Sequence, residues 1–249
     1  MTKRIFDIIF SFILLLIFSP VFLIFSFLIW SQDYHLPFYI APRVGKDEKI
    51  FKMIKFRSMI IKADQNGIDS TSANDSRITP IGHFIRKHKI DELPNLINVL
   101  MGQMSFVGPR PNVERETYLY TKQEKLLLTL RPGITDIASI IFSDEGDILK
   151  DSSNPDLDYN QLIRPWKSRL GIFYVDNKSL LLDIKLIFLT VIVVIAKQRA
   201  LKSINKTLVN FAADEKILYV SLRQSRLEPY PPPGSDQVVM SRDYSRKII

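Results

Sequence analysis

Two adjacent carboxylates, Asp91 and Glu92, stand near the start of the stretch KIDELPNLINVLMGQMSFVGPRP, residues 89–111. The apolar residues that follow recur at the spacing of one helix face: Leu93, Leu96, Ile97, Leu100 and Met101. Pro94 suits the first turn of that helix and Gly102 suits its C-terminal cap, so both acids are predicted at the helix N-terminus. A carboxylate has an ordinary structural use there, because it caps free backbone amides and complements the helix dipole.

Basic side chains on both sides of the acidic pair allow a chemical use as well. Arg86, Lys87 and Lys89 precede it, and Arg110 follows between two prolines. A helix N-terminus attracts phosphate groups, and arginine binds them through paired hydrogen bonds. The sequence GPRP, residues 108–111, fixes Arg110 in a stiff turn, which lowers the entropic cost of presenting its guanidinium. From these residues alone, a helix cap and an anion-binding site both remain open.

Upstream of the acids, the segment RVGKDEKIFKMIKFRSM, residues 43–59, is predicted to form a hairpin. Two short extended stretches flank a turn at Gly45-Lys46-Asp47-Glu48. Lys52, Lys55 and Arg57 make the hairpin strongly basic, which fits either a solvated edge or an anion-binding surface.

The remaining elements follow from composition and period. Residues 66–82 are dense in Asn, Asp, Ser and Gly and predict a loop, and HFIRKHKI after it is typical of a basic helix. Residues 180–196 are apolar but short and carry two charges, which favours an interfacial or core helix over a second membrane span. The Pro- and Gly-rich stretch EPYPPPGSDQ, residues 228–237, predicts flexibility.

The apolar run from Ile5 to Trp30 is a membrane signal, and Ser19-Pro20 interrupts it. Proline removes a backbone donor and clashes with the preceding turn, while a nearby serine can bond the freed carbonyl, so a sharp kink is predicted. The two arms are roughly 21 and 15 Å long, each too short to cross a bilayer. Lysine and arginine lie on both sides of the run, which favours a re-entrant helix with both ends in the cytoplasm. An ordinary single span with a tolerated proline is the alternative.

Charge and composition restrict the partners. The chain of 249 residues has no cysteine and a net charge of +8, and the tail from Lys197 holds 10 Lys and Arg against 5 Asp and Glu. Beside a hydrophobic anchor, such a tail indicates anionic lipid as the partner, and no motif indicates nucleic acid. We therefore predict an α+β, mostly helical fold: a membrane helix over residues 1–32, a catalytic domain over 33–196 and a basic extension of unknown role over 197–249.

Taken together, these residues resemble the bacterial sugar transferase family, the monotopic phosphoglycosyl transferases. The resemblance covers roughly residues 3 to 196 and rests on the following motifs: Lys3-Arg4-x-Phe6-Asp7, the Ser19-Pro20 break, RVG, KFRSM, RIT-x-IG-x-x-IRK, DELPNLINVLMGQMSFVGPRP, RPGIT and YVDNKSLLLDIKLIFLT. It implies transfer of a sugar-1-phosphate from a UDP-sugar to undecaprenyl phosphate at the cytoplasmic face of the bacterial inner membrane. UMP leaves, and the lipid-linked diphosphosugar starts glycan assembly, so other glycan-assembly enzymes are the expected protein partners.

The resemblance also implies a role for each site residue. Asp91 would attack phosphorus to form a covalent phosphosugar intermediate, and Glu92 would hold Mg²⁺ on the diphosphate. Two acids are needed because these roles differ, and Mg²⁺ requires few protein carboxylates since it keeps several waters. The basic family positions assign phosphate or nucleotide contacts to the following residues: Lys55, Arg86, Arg110 and Arg131.

Several positions depart from the family pattern: Ala41, Ser58, Pro80, His83, Asn95, Asp136 and Ser139. Asp136 adds a negative charge near an anionic substrate, which predicts altered sugar choice or weaker binding. The departures at Asp136 and Ser139 also support a non-catalytic membrane scaffold as an alternative function.

A further alternative rests on Asp156 and Asp158, which match the Asp-x-Asp pattern that many sugar-nucleotide transferases use to hold a metal. Such an enzyme moves the sugar without its phosphate and releases UDP. Acids in a loop more often only solvate a surface.

Overall fold

The structure is a computed structural model and describes residues 2–66 and 70–241. Residues 67–69 of the predicted loop, residue 1 of the predicted anchor and residues 242–249 of the extension lie outside the described residues. The helices are α1 Thr2–Ile17, α2 Ser19–Asp33, α3 Pro80–Lys87, α4 Asn95–Leu100, α5 Glu114–Thr117, α6 Ile137–Ile141, α7 Glu145–Ile148, α8 Pro155–Asp158, α9 Arg164–Asn177, α10 Leu180–Ile195, α11 Lys197–Asn210 and α12 Glu215–Ser221. The strands are β1 Phe38–Val44, β2 Ile50–Phe56, β3 Ser105–Val107 and β4 Gly133–Thr135. Short 3₁₀ turns cover Lys46–Glu48, Ala63–Asn66, Ile90–Glu92 and Glu124–Thr129, and a π-helical turn covers Tyr159–Ile163.

The N-terminal apolar run is broken where the sequence predicts. Helices α1 and α2 meet at an angle of 61°, and Pro20 lies in the first turn of α2. Pro20 has no amide hydrogen for the carbonyl four residues before it, and that carbonyl, Leu16 O, instead accepts a hydrogen bond from Ser19 Oγ at 2.8 Å. Within the described residues, no single helix is long and apolar enough to cross a membrane, whereas this bent pair meets that test by length and composition.

The charged residues at the start of α1 fasten it to the rest of the domain. Arg4 donates from Nη1 to Val99 O at 2.6 Å and from Nη2 to Leu100 O at 2.9 Å, so it satisfies carbonyls at the end of α4. Lys3 forms an ion pair with the buried Asp183 of α10. The pair Lys3-Arg4 therefore has a structural use beyond setting membrane orientation.

Two small sheets position the centre of the molecule. Strands β1 and β2 pair antiparallel from Phe38 opposite Phe56 to Val44 opposite Ile50, which confirms the predicted hairpin. Strands β3 and β4 pair in parallel. Gly108 and Gly133 approach so closely beside this pair that a Cβ on Gly133 would lie 2.2 Å from Gly108 N. Only glycine fits there, because any side chain would push the two segments apart.

Two clusters of apolar side chains hold these elements together. The main core joins α4, β3, α6 and the helices from α9 to α12. A smaller cluster of Ile29, Phe56 and Ile85 packs α2 against β2 and α3. Because α2 is held by the second cluster and α1 by the first, the bent pair is packed onto the domain along both arms.

Helix α10 has two apolar faces. Leu182, Leu186 and Leu189 are buried in the main core, whereas Leu181 and Ile195 are 79% and 84% exposed. The buried face confirms the core helix that the sequence allowed, and the interfacial use of the exposed face stays a prediction.

The prediction of a flexible Pro-rich tail is wrong. The tail packs on α9, where the Tyr230 ring stacks on Trp166 at 4.5 Å between centroids and Arg169 lies 4.7 Å from the Tyr230 centroid. Arg169 also donates to Pro231 O at 2.8 Å. Aromatic stacking and hydrogen bonds to carbonyls that proline leaves free hold the segment without helix or strand.

The fold is mixed α and β and mostly helical, as the sequence predicts. Division into a membrane helix, a catalytic domain and an extension stays a prediction.

Candidate active site

The acidic pair lies in a turn of its own rather than at the start of a helix. Asp91 and Glu92 belong to the 3₁₀ turn Ile90–Glu92, and α4 begins only at Asn95 after the helical backbone of Pro94. Among the described residues, no side chain caps the amides of α4. The cap interpretation of the two acids is therefore wrong, and their burial requires another reason.

The predicted apolar face of α4 is also only partly correct. Leu96 and Val99 are buried, Asn95 and Asn98 lie on the same inward side, and Met101 is exposed. The periodicity missed the two asparagines. The buried amide of Asn98 is hydrogen-bonded and so occupies a core position as well as an apolar side chain does, whereas Asn95 Oδ1 has no hydrogen-bond partner among the described residues and its burial has no structural explanation.

Glu92 is held by two cations from different elements. Lys55 on β2 donates to Glu92 Oε1 at 2.9 Å, and Arg110 donates to Oε2 at 3.2 Å and also contacts Oε1. Burial favours the neutral acid, but the charges of Arg110 and Lys55 outweigh it and hold the pKa of Glu92 well below its usual range. Glu92 is therefore ionised, and the side chains of Lys55 and Arg110 both contact its carboxylate.

Asp91 has a different environment. Its exposed fraction is 7%, and burial raises its pKa above the ordinary value of 3.8, with Lys55 opposing the shift and Glu92 adding to it. Arg86 on α3 donates to Ser58 Oγ at 3.4 Å, and its charge lowers the same pKa. Two neighbouring carboxylates are thus driven apart in basicity, which is typical of acids with separate catalytic roles.

Strands β3 and β4 position Arg110. Ser105 N donates to Pro132 O at 2.9 Å, Gly108 N to Thr135 O at 3.1 Å and Gly133 N to Pro109 O at 3.1 Å. These backbone hydrogen bonds therefore join the RPGIT motif to the GPRP turn and hold the backbone of Arg110 in place. Only a close pair of Gly-Pro segments allows this ladder.

Arg131 is the predicted phosphate contact that the structure does not bring to the acidic pair. Its Nε donates to Gly102 O at 2.8 Å, just beyond the C-terminal end of α4, whereas Glu92 precedes the N-terminal end. Lys55 and Arg110 contact Glu92 directly, and Arg86 acts on Asp91 by charge. A substrate role for Arg131 stays a prediction.

Asn98 is a site residue that sequence reasoning missed. It is fully buried, and its Oδ1 accepts from Ile54 N at 2.9 Å while its Nδ2 donates to Lys52 O and Gln103 Oε1, both at 2.7 Å. It therefore joins α4, which follows the acids, to the strand that carries Lys55. The only signal for it was a polar residue within an apolar helix.

Glu145 and Lys167 were missed as well. They form an ion pair, and the charge of Glu145 raises the pKa of Arg110 while Arg110 lowers that of Glu145. Burial would raise the pKa of Glu145, but Lys167 and Arg110 hold it below its usual range. These residues lie far from the acids in sequence, so no spacing pattern could have joined them.

Asp136 has a structural explanation. Its carboxylate accepts from Ser139 N at 2.5 Å and caps α6, and the residue is 4% exposed. Its charge still acts on Arg110, but its direct contact is with the backbone. The departures at Asp136 and Ser139 thus form a helix cap.

Asp156, from the alternative metal pattern, likewise bonds to the backbone. Its Oδ1 accepts from Ser70 N at 2.7 Å, and the residue is buried. Within residues 2–66 and 70–241, no group of three or more His, Cys, Asp or Glu has a geometry that could hold a metal ion. The contact of Asp156 favours a loop-anchoring role for it.

A family model for bacterial sugar transferases matches residues 1–197 of the chain. The chain belongs to this family. The resemblance predicted from the motifs is confirmed, and the acidic turn, the GPRP turn and the RPGIT strand all fall within the matched segment.

Individual relatives of the sugar transferase family match most of the chain. The exopolysaccharide production protein ExoY of Rhizobium meliloti is 34% identical over 77% of this chain and 84% of its own length. The UDP-glucose:undecaprenyl-phosphate glucose-1-phosphate transferase of Klebsiella pneumoniae is 36% identical over 76% of this chain. The undecaprenyl-phosphate galactose phosphotransferase of Salmonella typhimurium is 34% identical over 80% of this chain.

The chain spans unequal shares of these relatives. It covers only 39% of the Klebsiella protein and 41% of the Salmonella protein. Their names describe transferases of sugar phosphates to undecaprenyl phosphate.

Proposed function

We propose that the chain transfers a sugar-1-phosphate from a UDP-sugar to undecaprenyl phosphate, the first step of glycan assembly, with Asp91 as nucleophile. The observation that carries this proposal is the buried acidic turn, in which Asp91 has a raised pKa while Lys55 and Arg110 converge on the ionised Glu92. A membrane scaffold has no physical need to pack two adjacent acids against two cations, because enclosing these charges costs free energy and a scaffold gains nothing from it.

The reaction that fits this arrangement has two displacements at one phosphorus. An oxygen of the Asp91 carboxylate attacks the phosphorus that carries the sugar, the bond from that phosphorus to the bridging oxygen breaks, and UMP leaves with the electron pair. The acceptor phosphate then attacks the aspartyl-bound phosphorus, releases Asp91 as a carboxylate and forms the lipid-linked diphosphosugar. Phosphoryl transfer depends chiefly on in-line placement and neutralised oxygen charge, which Arg110 and Lys55 supply.

Glu92 is the residue that would hold Mg²⁺. Its carboxylate is ionised and lies beside the nucleophile, and Mg²⁺ needs only one or two protein carboxylates when substrate phosphates and waters complete its shell. When bound, the ion would neutralise charge on the diphosphate and orient it. Arg110, which donates to Glu92, would bind the substrate phosphates beside it.

The bent pair α1–α2 would be a re-entrant anchor at the cytoplasmic face of the inner membrane. Exposed apolar side chains cover both arms, among them Phe12 at 54% and Leu23 at 73%. Such surface is costly in water and stable in lipid. Anchoring in one leaflet would bring a soluble nucleotide sugar and a lipid phosphate to the same interface.

Nucleotide release tests the reaction class. The full chain in detergent, with Mg²⁺ and undecaprenyl phosphate, is given a panel of UDP-sugars, and the nucleotide product is identified. We expect UMP from the wild type and none from Asp91→Asn, with both proteins showing the same melting temperature. Asp156→Asn is the matched control and should release UMP normally. UDP as the product, or full activity of Asp91→Asn, would refute the proposal.

The position of the anchor is tested separately with glycosylation reporters. Reporters at residues 1 and 40 are expected on the same, cytoplasmic side. Opposite sides would show that the bent pair spans the bilayer.

A further inference from the structure

A groove lies at the elbow between α10 and α11, away from the acidic turn in sequence. Ala196 leaves helical geometry there, with φ −141° and ψ 66°, and the two helices turn around it. The space has a volume of about 360 Å³, within the range of about 300–1,000 Å³ that small-molecule sites occupy. We call it the elbow groove, and its lining consists of Leu189, Ile192, Ile195, Ala196, Arg199 and Ser203.

One end of the elbow groove is apolar and continues an exposed apolar surface. Ile192 and Ile195 follow Phe188 and Val191 by one helical turn each, and all four side chains are exposed, Phe188 at 65% and Val191 at 61%. The groove is therefore the end of the outer face of α10. A hydrocarbon chain lying along that face would enter it without crossing polar side chains.

The other end of the elbow groove is cationic. Arg199 is exposed, and in the part of the chain that the structure describes its side chain has neither a hydrogen bond nor an ion pair. Helix α11 carries Lys197, Lys202 and Lys206 as well and has no acid in its sequence KQRALKSINKTLVN. An unpaired guanidinium at the mouth of an apolar groove, on a helix without acids, complements an anionic head attached to a hydrocarbon tail.

We infer that the elbow groove binds an anionic phospholipid of the membrane, with one acyl chain against Ile192 and Ile195 and the phosphate at Arg199. Arg199 and Ser203 lie beyond residue 197, where the family match ends, so the extension supplies the polar end of the groove while the matched segment supplies its apolar end. It gives the basic extension a role: the extension holds the outer face of α10 at the headgroup level of an anionic leaflet.

Lipid quenching tests this site on the full chain. The chain has no cysteine, so Ile192→Cys carries a bimane at a single position. Labelled protein is reconstituted in mixed phosphatidylcholine and phosphatidylglycerol vesicles in which one of the two lipids has brominated acyl chains. At equal mole fraction, we expect brominated phosphatidylglycerol to quench the label with about fivefold higher apparent affinity, because one cation near the surface contributes about that factor.

Two charge variants separate a site from general attraction. Arg199→Gln is expected to abolish the preference for phosphatidylglycerol, whereas Lys206→Gln, which removes the same charge from the same helix outside the groove lining, is expected to keep it. Equal losses in the two variants would show diffuse attraction without a site. Absence of quenching at residue 192, or equal quenching by both lipids, would also overturn the inference.

A final measurement distinguishes a membrane phospholipid from the acceptor as the bound lipid. It also tests the groove independently of the proposed function. If added undecaprenyl phosphate relieves the quenching and added phosphatidylglycerol without bromine does not, the groove binds the acceptor and this proposal is refuted. UMP release is measured in the same vesicles. UMP release without quenching at residue 192 would refute only the lipid site in the elbow groove. Quenching without UMP release would refute only the proposed transferase function.

Discussion

Replacement of Asn98 by alanine tests how the acidic turn is held against the strand that carries Lys55. Asn98 makes three hydrogen bonds at 2.7–2.9 Å, two of them to the backbone of β2, and is fully buried. Each such bond contributes about 1 kcal/mol, so Asn98→Ala should lower the free energy of unfolding by about 3 kcal/mol. For a domain of this size the melting temperature should fall by roughly 6–12 °C.

Catalysis should suffer beyond stability in the same variant. If β2 shifts relative to α4, Lys55 moves away from Glu92, and a misplacement of about 1 Å costs roughly 10²-fold in rate. Thermal unfolding in detergent gives the first quantity, and UMP release well below the melting temperature gives the second.

Gln103→Ala is the matched control because it removes only one of the three bonds. Its melting temperature should fall by roughly 2–4 °C with kcat unchanged. Equal shifts in the two variants, or full kcat in Asn98→Ala, would refute the idea that Asn98 sets the distance between the two elements.

The remaining predictions concern charge. The rate of UMP release should fall as the pH drops through the pKa of Asp91, since only the carboxylate attacks. Burial should place that inflection of the pH–rate profile above 3.8, and an inflection at or below 3.8 would contradict the assignment of Asp91 as nucleophile. Arg110→Lys keeps the charge but loses the paired hydrogen bonds, and kcat/KM for UMP release should fall by about 10²-fold or more. Arg131→Ala should leave kcat/KM within about tenfold of wild type, because its guanidinium is bonded at the other end of α4; a loss as large as that of Arg110→Lys would show that Arg131 binds the substrate. Asp136→Ala should cost about 1 kcal/mol of stability through the lost cap, while UMP release and sugar preference measured on the same panel stay unchanged.

Local features of this protein were readable from the sequence because their causes are local. The kink at Ser19-Pro20 follows from a missing amide hydrogen and a nearby hydroxyl, both within one helical turn. The β1–β2 hairpin follows from a turn between two extended stretches, and membership of the sugar transferase family follows from a series of motifs along the chain.

Tertiary structure decided which of these residues meet. Glu92, Lys55 and Arg110 come from a turn, a strand and a Pro-flanked loop, and packing alone brings their charges together. Arg131, which the resemblance assigns to a phosphate or nucleotide contact, lies away from these three residues, because the RPGIT segment pairs through β3–β4 and Arg131 Nε donates to Gly102 O. The Pro-rich tail was expected to be flexible, yet Tyr230 finds Trp166 and Arg169 on α9. Contacts between residues this far apart depend on the whole fold, because no local preference for helix, strand or turn contains them.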